Sequence, residues 1–278
     1  MLGFLSPAHR GGLLTTMLLL FVFMGIFGGF YSARMYKLFK GESWKSNTLV
    51  TALLFPGVCF AMFFLLNFFL VAERSSGAVP FTTLLTILVL WFGISLPLTF
   101  LGGILGHRAP EMESPCKVNR IPHPVKETKW YLSTWFVMVV GGILPFGAIF
   151  IEIMFIMRSI WTTSTFYYMF GFLFLVLIIL MITSAEISMV IIYFQLCAED
   201  YRWWWRAYLI SGASGCYLYV HSVFYLFSYL EMTRFSSIML YLGYMLLVSY
   251  TLFIFTGTIG FASSYWFVKK IYSLIKVD

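Results

Sequence analysis

Long apolar segments alternate with polar connections along nearly the whole chain. A membrane-spanning helix needs about 20 mostly apolar residues. Seven segments reach that length: Leu13–Ala33, Asn47–Ala72, Pro80–Leu105, Trp130–Met157, Phe166–Leu196, Ala207–Leu230 and Ser237–Val268. The pattern predicts an all-α fold, a polytopic bundle of seven transmembrane helices.

One polar connection is much longer than the others. It covers Gly106–Lys129 and divides three predicted spans from four. Its four prolines, at positions 110, 115, 122 and 124, lack backbone donors and predict an extended, non-helical strap. The strap is either a plain linker or a docking strip for a cytosolic partner. The membrane domain is then expected to cover residues 1–268, followed by a tail at 269–278.

The composition supports a membrane protein. The chain is 61% hydrophobic and 21% aromatic, and only 10% of its residues are charged, against about 25% in a soluble domain. The net charge of +7 therefore indicates no nucleic-acid partner, and the expected partner is membrane lipid. The sequence contains no P-loop, HExxH, GxSxG or CxxC motif, so we expect no cofactor.

The distribution of lysine and arginine predicts the orientation of the chain. One alternating set of connections carries 14 of the 18 basic residues, and the other carries Arg10, Arg74, Arg158 and Arg234. Basic residues favour cytoplasmic connections. We therefore expect the amino end to be lumenal, and the strap and the carboxyl tail to be cytosolic.

Small residues recur at helical spacing inside the spans. Gly25-xxx-Gly29, Gly102-xxx-Gly106 and Ser211-xxx-Gly215 each place two small side chains on one helix face. Such faces let two backbones approach closely in a membrane, so we expect them to pack the bundle. The run Gly141–Gly147 contains Pro145, and we expect a kinked or unwound helix there.

Several ionisable residues fall inside predicted spans, where charge is costly and suggests a function. They are Glu152 in the fourth span, Glu186 in the fifth and His221 in the sixth. One interpretation makes them a proton or ion path, so that the protein is an ion or solute transporter or channel. The alternative places Glu152 near the lumenal interface and has His221 hydrogen-bond a neighbouring helix. A seven-span receptor is a third class, but its Asp-Arg-Tyr and Asn-Pro-x-x-Tyr signatures are missing from the ends of the third and seventh spans.

The connection Leu196–Arg206 has an unusual composition. Three consecutive tryptophans lie between Arg202 and Arg206, preceded by Glu199 and Asp200. Tryptophan favours the membrane–water interface and can stack under arginine. The segment is predicted to be an interfacial anchor whose two acidic residues offset the two arginines.

The chain ends in Lys276-Val277-Asp278. The ammonium of Lys276 and the paired carboxylates at Asp278 form a compact charge pattern on an end that is too short to fold alone. A coat protein could bind this pattern through charge-assisted hydrogen bonds. The alternative is an ordinary solvated end.

The chain resembles the nonaspanins, the transmembrane nine superfamily, over essentially its whole length, and is most like the subgroup of members two and four. The resemblance rests on LGFLSPAHRGGL (Leu2–Leu13), GGILPFGAIFIE (Gly141–Glu152), YYMFGFLFLVLIIL (Tyr167–Leu180), FQLCAEDYRWWWR (Phe194–Arg206), FTGTIGF (Phe255–Phe261) and the terminal KIYSLIKVD. Members of the family have a large N-terminal lumenal domain and nine spans. The resemblance implies that this chain holds only the last seven spans and lacks the lumenal domain, so we expect it to be the carboxyl part of a longer protein.

The resemblance also implies a function. It implies residence in Golgi and endosomal membranes, and a role in sorting other membrane proteins to the cell surface, including cargo with glycine-rich spans. The family's Lys-x-acid tail, which binds the COPI coat, is similar to Lys276 and Asp278. Phe267, Val268 and Tyr272 resemble a family signal for leaving the endoplasmic reticulum. No enzyme activity is implied.

Overall fold

The structure, a computed structural model, describes residues 10–75, 77–112, 121, 124, 130–162, 169–230, 232 and 234–274. The described residues form helices and connections without a strand, which confirms the all-α fold class. The α-helices are α1 (Arg10–Leu38), α2 (Trp44–Ala72), α3 (Phe81–Leu90), α4 (Leu96–Arg108), α5 (Thr134–Thr162), α6 (Met169–Cys197), α7 (Trp203–Tyr229) and α8 (Phe235–Leu274). A π-helical turn, Trp91–Ser95, joins α3 to α4.

The chain divides into two compact units. The first covers Met1–Glu113 and contains α1 to α4, and the second covers Ser114–Asp278 and contains α5 to α8. The boundary falls inside the segment Gly106–Lys129 that was predicted to be a strap.

Six helical segments in the part of the chain that the structure describes are long and apolar enough to cross a membrane. They are Thr15–Leu38, Trp44–Ala72, Phe81–Arg108, Thr134–Arg158, Leu173–Cys197 and Phe235–Leu274. The sequence predicted seven, and the additional one, Ala207–Leu230, corresponds to α7. This helix has 27 residues, but the buried run from Ser211 to Gly215 consists of small and weakly polar residues. These residues lower the hydropathy of α7 while facing neighbouring helices.

The third predicted span contains an irregular turn, whereas the sequence predicted an irregular helix at Gly141–Gly147, in the fourth span. At Trp91–Ser95 the backbone widens into a π-helix, and the Leu96 N–H donates to the carbonyl of Trp91. Pro97 follows at once and has no N–H to donate, so the wider turn accommodates the interruption in the hydrogen-bond ladder. The Trp91 indole donates to the Ala52 carbonyl at 3.2 Å, which ties the turn to α2.

A kinked or unwound helix was expected at Gly141–Gly147, and the unwinding was wrong. Helix α5 runs without a break from Thr134 to Thr162 and includes Pro145. Pro145 is fully buried, and Gly141 is so close to Ile210 that a Cβ there would lie 2.5 Å from the isoleucine methyl. Close packing on neighbouring helices therefore holds the proline-containing turn in helical form.

In the first unit, α1 crosses α4 through the two predicted glycine pairs. A Cβ on Gly29 would overlap the carbonyl oxygen of Thr99, and one on Gly102 would overlap that of Ile26. Gly106 meets the carbonyl oxygen of Phe30 in the same way. Both predicted motifs are therefore confirmed as sites of close helix approach.

The second unit packs α7 against α8 in a similar way. A Cβ on Gly215 would lie 2.6 Å from the carbonyl oxygen of Ser249 and 2.7 Å from the amide nitrogen of Phe253. Ser211 is buried and hydrogen-bonds the hydroxyl of Ser188 on α6. The third small-residue motif is thus also confirmed. An apolar cluster on α5 to α8, which includes Ile149, Leu180 and Tyr241, forms the core of this unit.

Candidate functional site

The predicted tail residues lie partly on α8. This helix has 40 residues, about 60 Å at 1.5 Å per residue, and the hydrocarbon core is about 30 Å thick. It continues six residues past Val268, so residues Lys269–Leu274 of the predicted tail are helical. The charges at Lys269 and Lys270 end the apolar run without interrupting backbone hydrogen bonding.

The three residues of the predicted export signal lie on this terminal part of α8. Phe267 and Val268 are half-buried, whereas Tyr272 is exposed. Lys276 and Asp278, the predicted coat-binding residues, lie outside the described residues.

The ionisable residues of the spans do not form a polar path within the described residues. The His221 Nε2 lies 3.1 Å from the Met154 sulfur on α5, and its ring centroid is 4.9 Å from that of Phe150. The prediction that His221 contacts a neighbouring helix is confirmed. Among the described residues, half-buried Glu152 and exposed Glu186 have no hydrogen-bond or ion-pair partner.

Asn67 has a structural role in the first unit. Its amide nitrogen donates to the carbonyl of Val79 at 3.2 Å, and its amide oxygen accepts from the Val79 N–H at 2.7 Å. This two-way contact orders the connection between α2 and α3. It satisfies the buried amide, so Asn67 needs no ligand to explain it.

The turn between α6 and α7 brings charged and polar side chains together. Glu199 takes a left-handed conformation with φ 62°, its N–H donates to Leu196, and the Asp200 N–H donates to Gln195. These two bonds form a Schellman motif, which ends α6 and turns the chain sharply. The turn places Asp200 inward, where its side chain is only 4% exposed.

Asp200 binds both arginines of the turn. Its Oδ1 lies 3.3 Å from the Arg202 Nε, and its Oδ2 lies 3.3 Å from an Arg206 terminal nitrogen. The Arg202 N–H also donates to the Asp200 carboxylate at 3.1 Å. The prediction that acidic residues offset the arginines is therefore confirmed for Asp200.

Arg206 also joins the turn to the start of α5. Its Nε donates to the Thr134 hydroxyl at 3.0 Å, and a terminal nitrogen donates to the Leu132 carbonyl. Burial lowers the pKa of the Arg206 guanidinium from its ordinary value, while Asp200 opposes this effect. The guanidinium stays charged at neutral pH because arginine ordinarily titrates far above it.

The first tryptophan of the turn packs against a neighbouring helix. The ring of Trp203 contacts α8, with its centroid 5.7 Å from that of Phe261 and 6.4 Å from that of Tyr265. The Arg202 side chain binds Asp200, and the Arg206 side chain binds Asp200 and Thr134. Trp205 is 68% exposed, which agrees with the predicted interfacial position.

A cleft of about 500 Å³ opens beside this ion-pair cluster. Its lining includes Ser133, Thr134, Asp200, Arg202, Trp205 and Arg206. Sequence reasoning missed Ser133 and Thr134, although a serine directly before an apolar helix is an N-cap signal. In the described part of the chain, no cluster of three or more His, Cys, Asp or Glu residues is arranged to hold a metal ion.

The fold and these sites define a multi-pass α-helical membrane protein. A family model described as Endomembrane protein 70 matches residues 1–235. The chain therefore belongs to the Endomembrane protein 70 family, and its resemblance to the transmembrane nine superfamily is confirmed.

Three relatives illustrate the match. The chain is 55% identical over 278 residues to Transmembrane 9 superfamily member 9 of Arabidopsis thaliana, covering 100% of this chain and 43% of the relative. It is 50% identical over 278 residues to member 4 of Homo sapiens, again with 100% and 43% coverage. Identity to member 2 of Pongo abelii is 50% over 277 residues, with 100% of this chain and 42% of the relative covered. The chain thus spans less than half the length of these relatives, and no solved structure matches it.

Proposed function

We propose that the chain belongs to a sorting factor of Golgi and endosomal membranes, which helps other membrane proteins reach the cell surface. The family is described as an endomembrane protein, which is consistent with this location. The mechanism would be lateral binding of cargo spans, since both units already associate their own helices through small-residue faces.

Open glycines on the helices are the observation that carries this proposal. Gly28 on α1 and Gly147 on α5 are exposed, and a Cβ on either would meet nothing within 4 Å. A glycine inside a helix costs about 1 kcal/mol relative to alanine, and here no contact within the unit requires it. A cargo helix with its own glycines could approach these positions closely.

Substitution of the open glycines tests cargo binding. Gly28→Leu and Gly147→Leu should lower the surface level of a reporter whose span is glycine-rich, because overpacking by about 1–3 kcal/mol weakens association fivefold or more. A reporter with an all-leucine span is the control and should be unaffected. Surface biotinylation in cells lacking the endogenous protein measures both. Normal delivery of the glycine-rich reporter by both variants would contradict the proposal.

The carboxyl end carries the proposed address. Lys276 and Asp278 would bind the COPI coat and retain the protein in the Golgi, and Phe267, Val268 and Tyr272 would act earlier, in export from the endoplasmic reticulum. Support comes from the family resemblance and from α8, which is long enough to carry Tyr272 beyond the hydrocarbon.

Two changes test the address. Lys276→Ser removes the ammonium, and one alanine added after Asp278 displaces the terminal carboxylate but keeps both charged side chains. Each loses a charge-assisted hydrogen bond of roughly 1.5–3 kcal/mol, so coat binding should weaken about tenfold or more and the protein should move to later compartments. Pull-down of coat subunits and Golgi co-localisation measure this. Unchanged behaviour of both variants would leave the tail as an ordinary solvated end.

The transporter hypothesis remains a prediction without a supporting contact. Among the described residues, Glu152 and Glu186 have no polar partner, and His221 lies against Met154 and two phenylalanine rings. A pH-dependent current in reconstituted vesicles that is lost in Glu152→Gln would replace the sorting proposal with transport.

A further inference from the structure

The cleft beside the α6–α7 turn has an excess of positive charge. Arg202 and Arg206 both line it, and Asp200 is the acidic residue among its described lining residues. The Arg206 guanidinium donates hydrogen bonds to Asp200, Thr134 and Leu132. One carboxylate therefore faces two guanidiniums, which leaves the described lining of the cleft with a net positive charge.

Arg202 keeps unused donors at this cleft. Its Nε binds Asp200, and its side chain is 59% exposed. Within the described residues its two terminal nitrogens have no hydrogen-bond partner. A guanidinium with free terminal N–H groups suits the oxygen atoms of a phosphate, which it can bind in a bidentate manner.

The aromatic side chains around the cleft indicate its depth in the membrane. Trp130 is 74% exposed, Trp135 is 78% exposed, and Trp205 is 68% exposed. The first two flank Ser133 and Thr134 in the chain, and the third lines the cleft itself. Exposed tryptophans of this kind favour the headgroup level of a bilayer, so the cleft lies where lipid phosphates lie.

The cleft also has a polar wall and an apolar wall. Ser133 and Thr134 contribute hydroxyls at the start of α5, where the helix dipole favours an anion. Leu209 lies one helical turn beyond Trp205 on α7 and lines the same cleft. A molecule with an anionic head and an apolar chain matches this arrangement better than a small anion does.

We propose that this cleft binds the headgroup phosphate of an anionic phospholipid. Arg202 donates its terminal N–H groups to the phosphate oxygens, and Ser133 adds a hydroxyl. Trp205 and Leu209 contact the glycerol and the beginning of an acyl chain. Arg206 and Asp200 position Arg202 and join the α6–α7 turn to α5, so lipid binding would stabilise this end of the second unit.

Short-chain lipids test the proposal with the full 278-residue chain in neutral detergent. Native mass spectrometry and thermal unfolding would be measured with dioctanoyl phosphatidic acid, dioctanoyl phosphatidylcholine and inorganic phosphate. Phosphatidic acid is expected to bind and raise the unfolding temperature, and the other two are expected to bind at least about tenfold more weakly. Equal binding of phosphatidylcholine would overturn the headgroup assignment. Equal protection by inorganic phosphate would show a small-anion site instead of a lipid site.

Three variants localise the binding. Arg202→Gln should weaken phosphatidic acid binding about tenfold, while Arg202→Lys should lose less, because the ammonium keeps the charge but cannot bind the phosphate in a bidentate manner. Asp200 retains Arg206 in both variants, so the turn should still fold, and thermal unfolding without lipid checks this. Lys270→Gln removes an exposed cation from α8, and its affinity should equal that of the unchanged chain. Wild-type affinity in Arg202→Gln would overturn the proposal, and the comparison of lipids decides it even without that variant.

Discussion

Replacing Gly29 or Gly102 with alanine is expected to destabilise the first unit severely. The new methyl group would overlap the carbonyl oxygen of Thr99 or of Ile26, and a backbone atom cannot move aside by changing rotamer. The two helices must separate along their crossing, at a cost of about 1–3 kcal/mol or more. Unfolding of the purified chain in increasing sodium dodecyl sulfate, followed by circular dichroism, measures the loss.

Gly28→Ala is the matched control for this experiment. Gly28 is adjacent to Gly29 on the same helix, yet a Cβ there would meet nothing within 4 Å. Alanine is the better helix former by about 1 kcal/mol, so this variant should be neutral or slightly stabilised. Similar losses in the two adjacent variants would mean that α1 and α4 do not cross at Gly29.

The same comparison is available in the second unit. A Cβ on Gly142 would lie 2.6 Å from that of Ala213 on α7, whereas one on Gly147 meets nothing within 4 Å. Gly142→Ala should therefore destabilise the chain and Gly147→Ala should not. Because Gly147 is also a proposed cargo position, the contrast separates folding from cargo binding.

The small-residue faces could be predicted because a four-residue spacing puts two side chains on one helix face whatever the partner is. Their partners could not be predicted from the same pattern. That Gly29 meets the backbone of Thr99, and Gly102 that of Ile26, depends on how two distant spans cross. Sequence reasoning thus identified the surfaces of close approach but not the pairs that use them.

The ion-pair cluster was predictable only in its local part. Asp200 and Arg206 are six residues apart, so their compensating charges are visible in the sequence. Thr134 lies 72 residues from Arg206, and no local pattern joins them. Half of the site therefore appears only when α5 and α7 are brought together.

Helix ends and irregular turns followed rules that apolar patterns do not capture. The predicted seventh span ended at Val268 because Lys269 and Lys270 are charged, but a helix needs backbone hydrogen bonds and not apolarity, and α8 continues to Leu274. The segment Gly141–Gly147 of α5, which contains Pro145, stays helical because its surroundings are tightly packed. The irregular turn lies instead directly before Pro97, between α3 and α4.

Tags placed in the Gly106–Lys129 segment and after Asp278 are expected to lie on the same side of the membrane, which we propose to be the cytosol. The 14 basic residues on one set of connections favour this orientation. The result depends on α7, since α5, α6, α7 and α8 return the chain to the same side only if all of them cross. Helix α7 has 27 residues, about 40 Å, which exceeds the hydrocarbon thickness of about 30 Å.

The physical reason to expect α7 to cross is where its polar atoms lie. Ser211, Ser214 and Gly215 are buried against neighbouring helices, and the two serines hydrogen-bond partners on α6 and α8. A span whose polar groups are satisfied inside the bundle needs less hydropathy than one surrounded by lipid. Antibody access after selective permeabilisation of the plasma membrane measures both tags, and a tag inserted at Arg234 should be protected as the control. If one of the first two tags were exposed and the other protected, α7 would not cross, and the chain would have six spans.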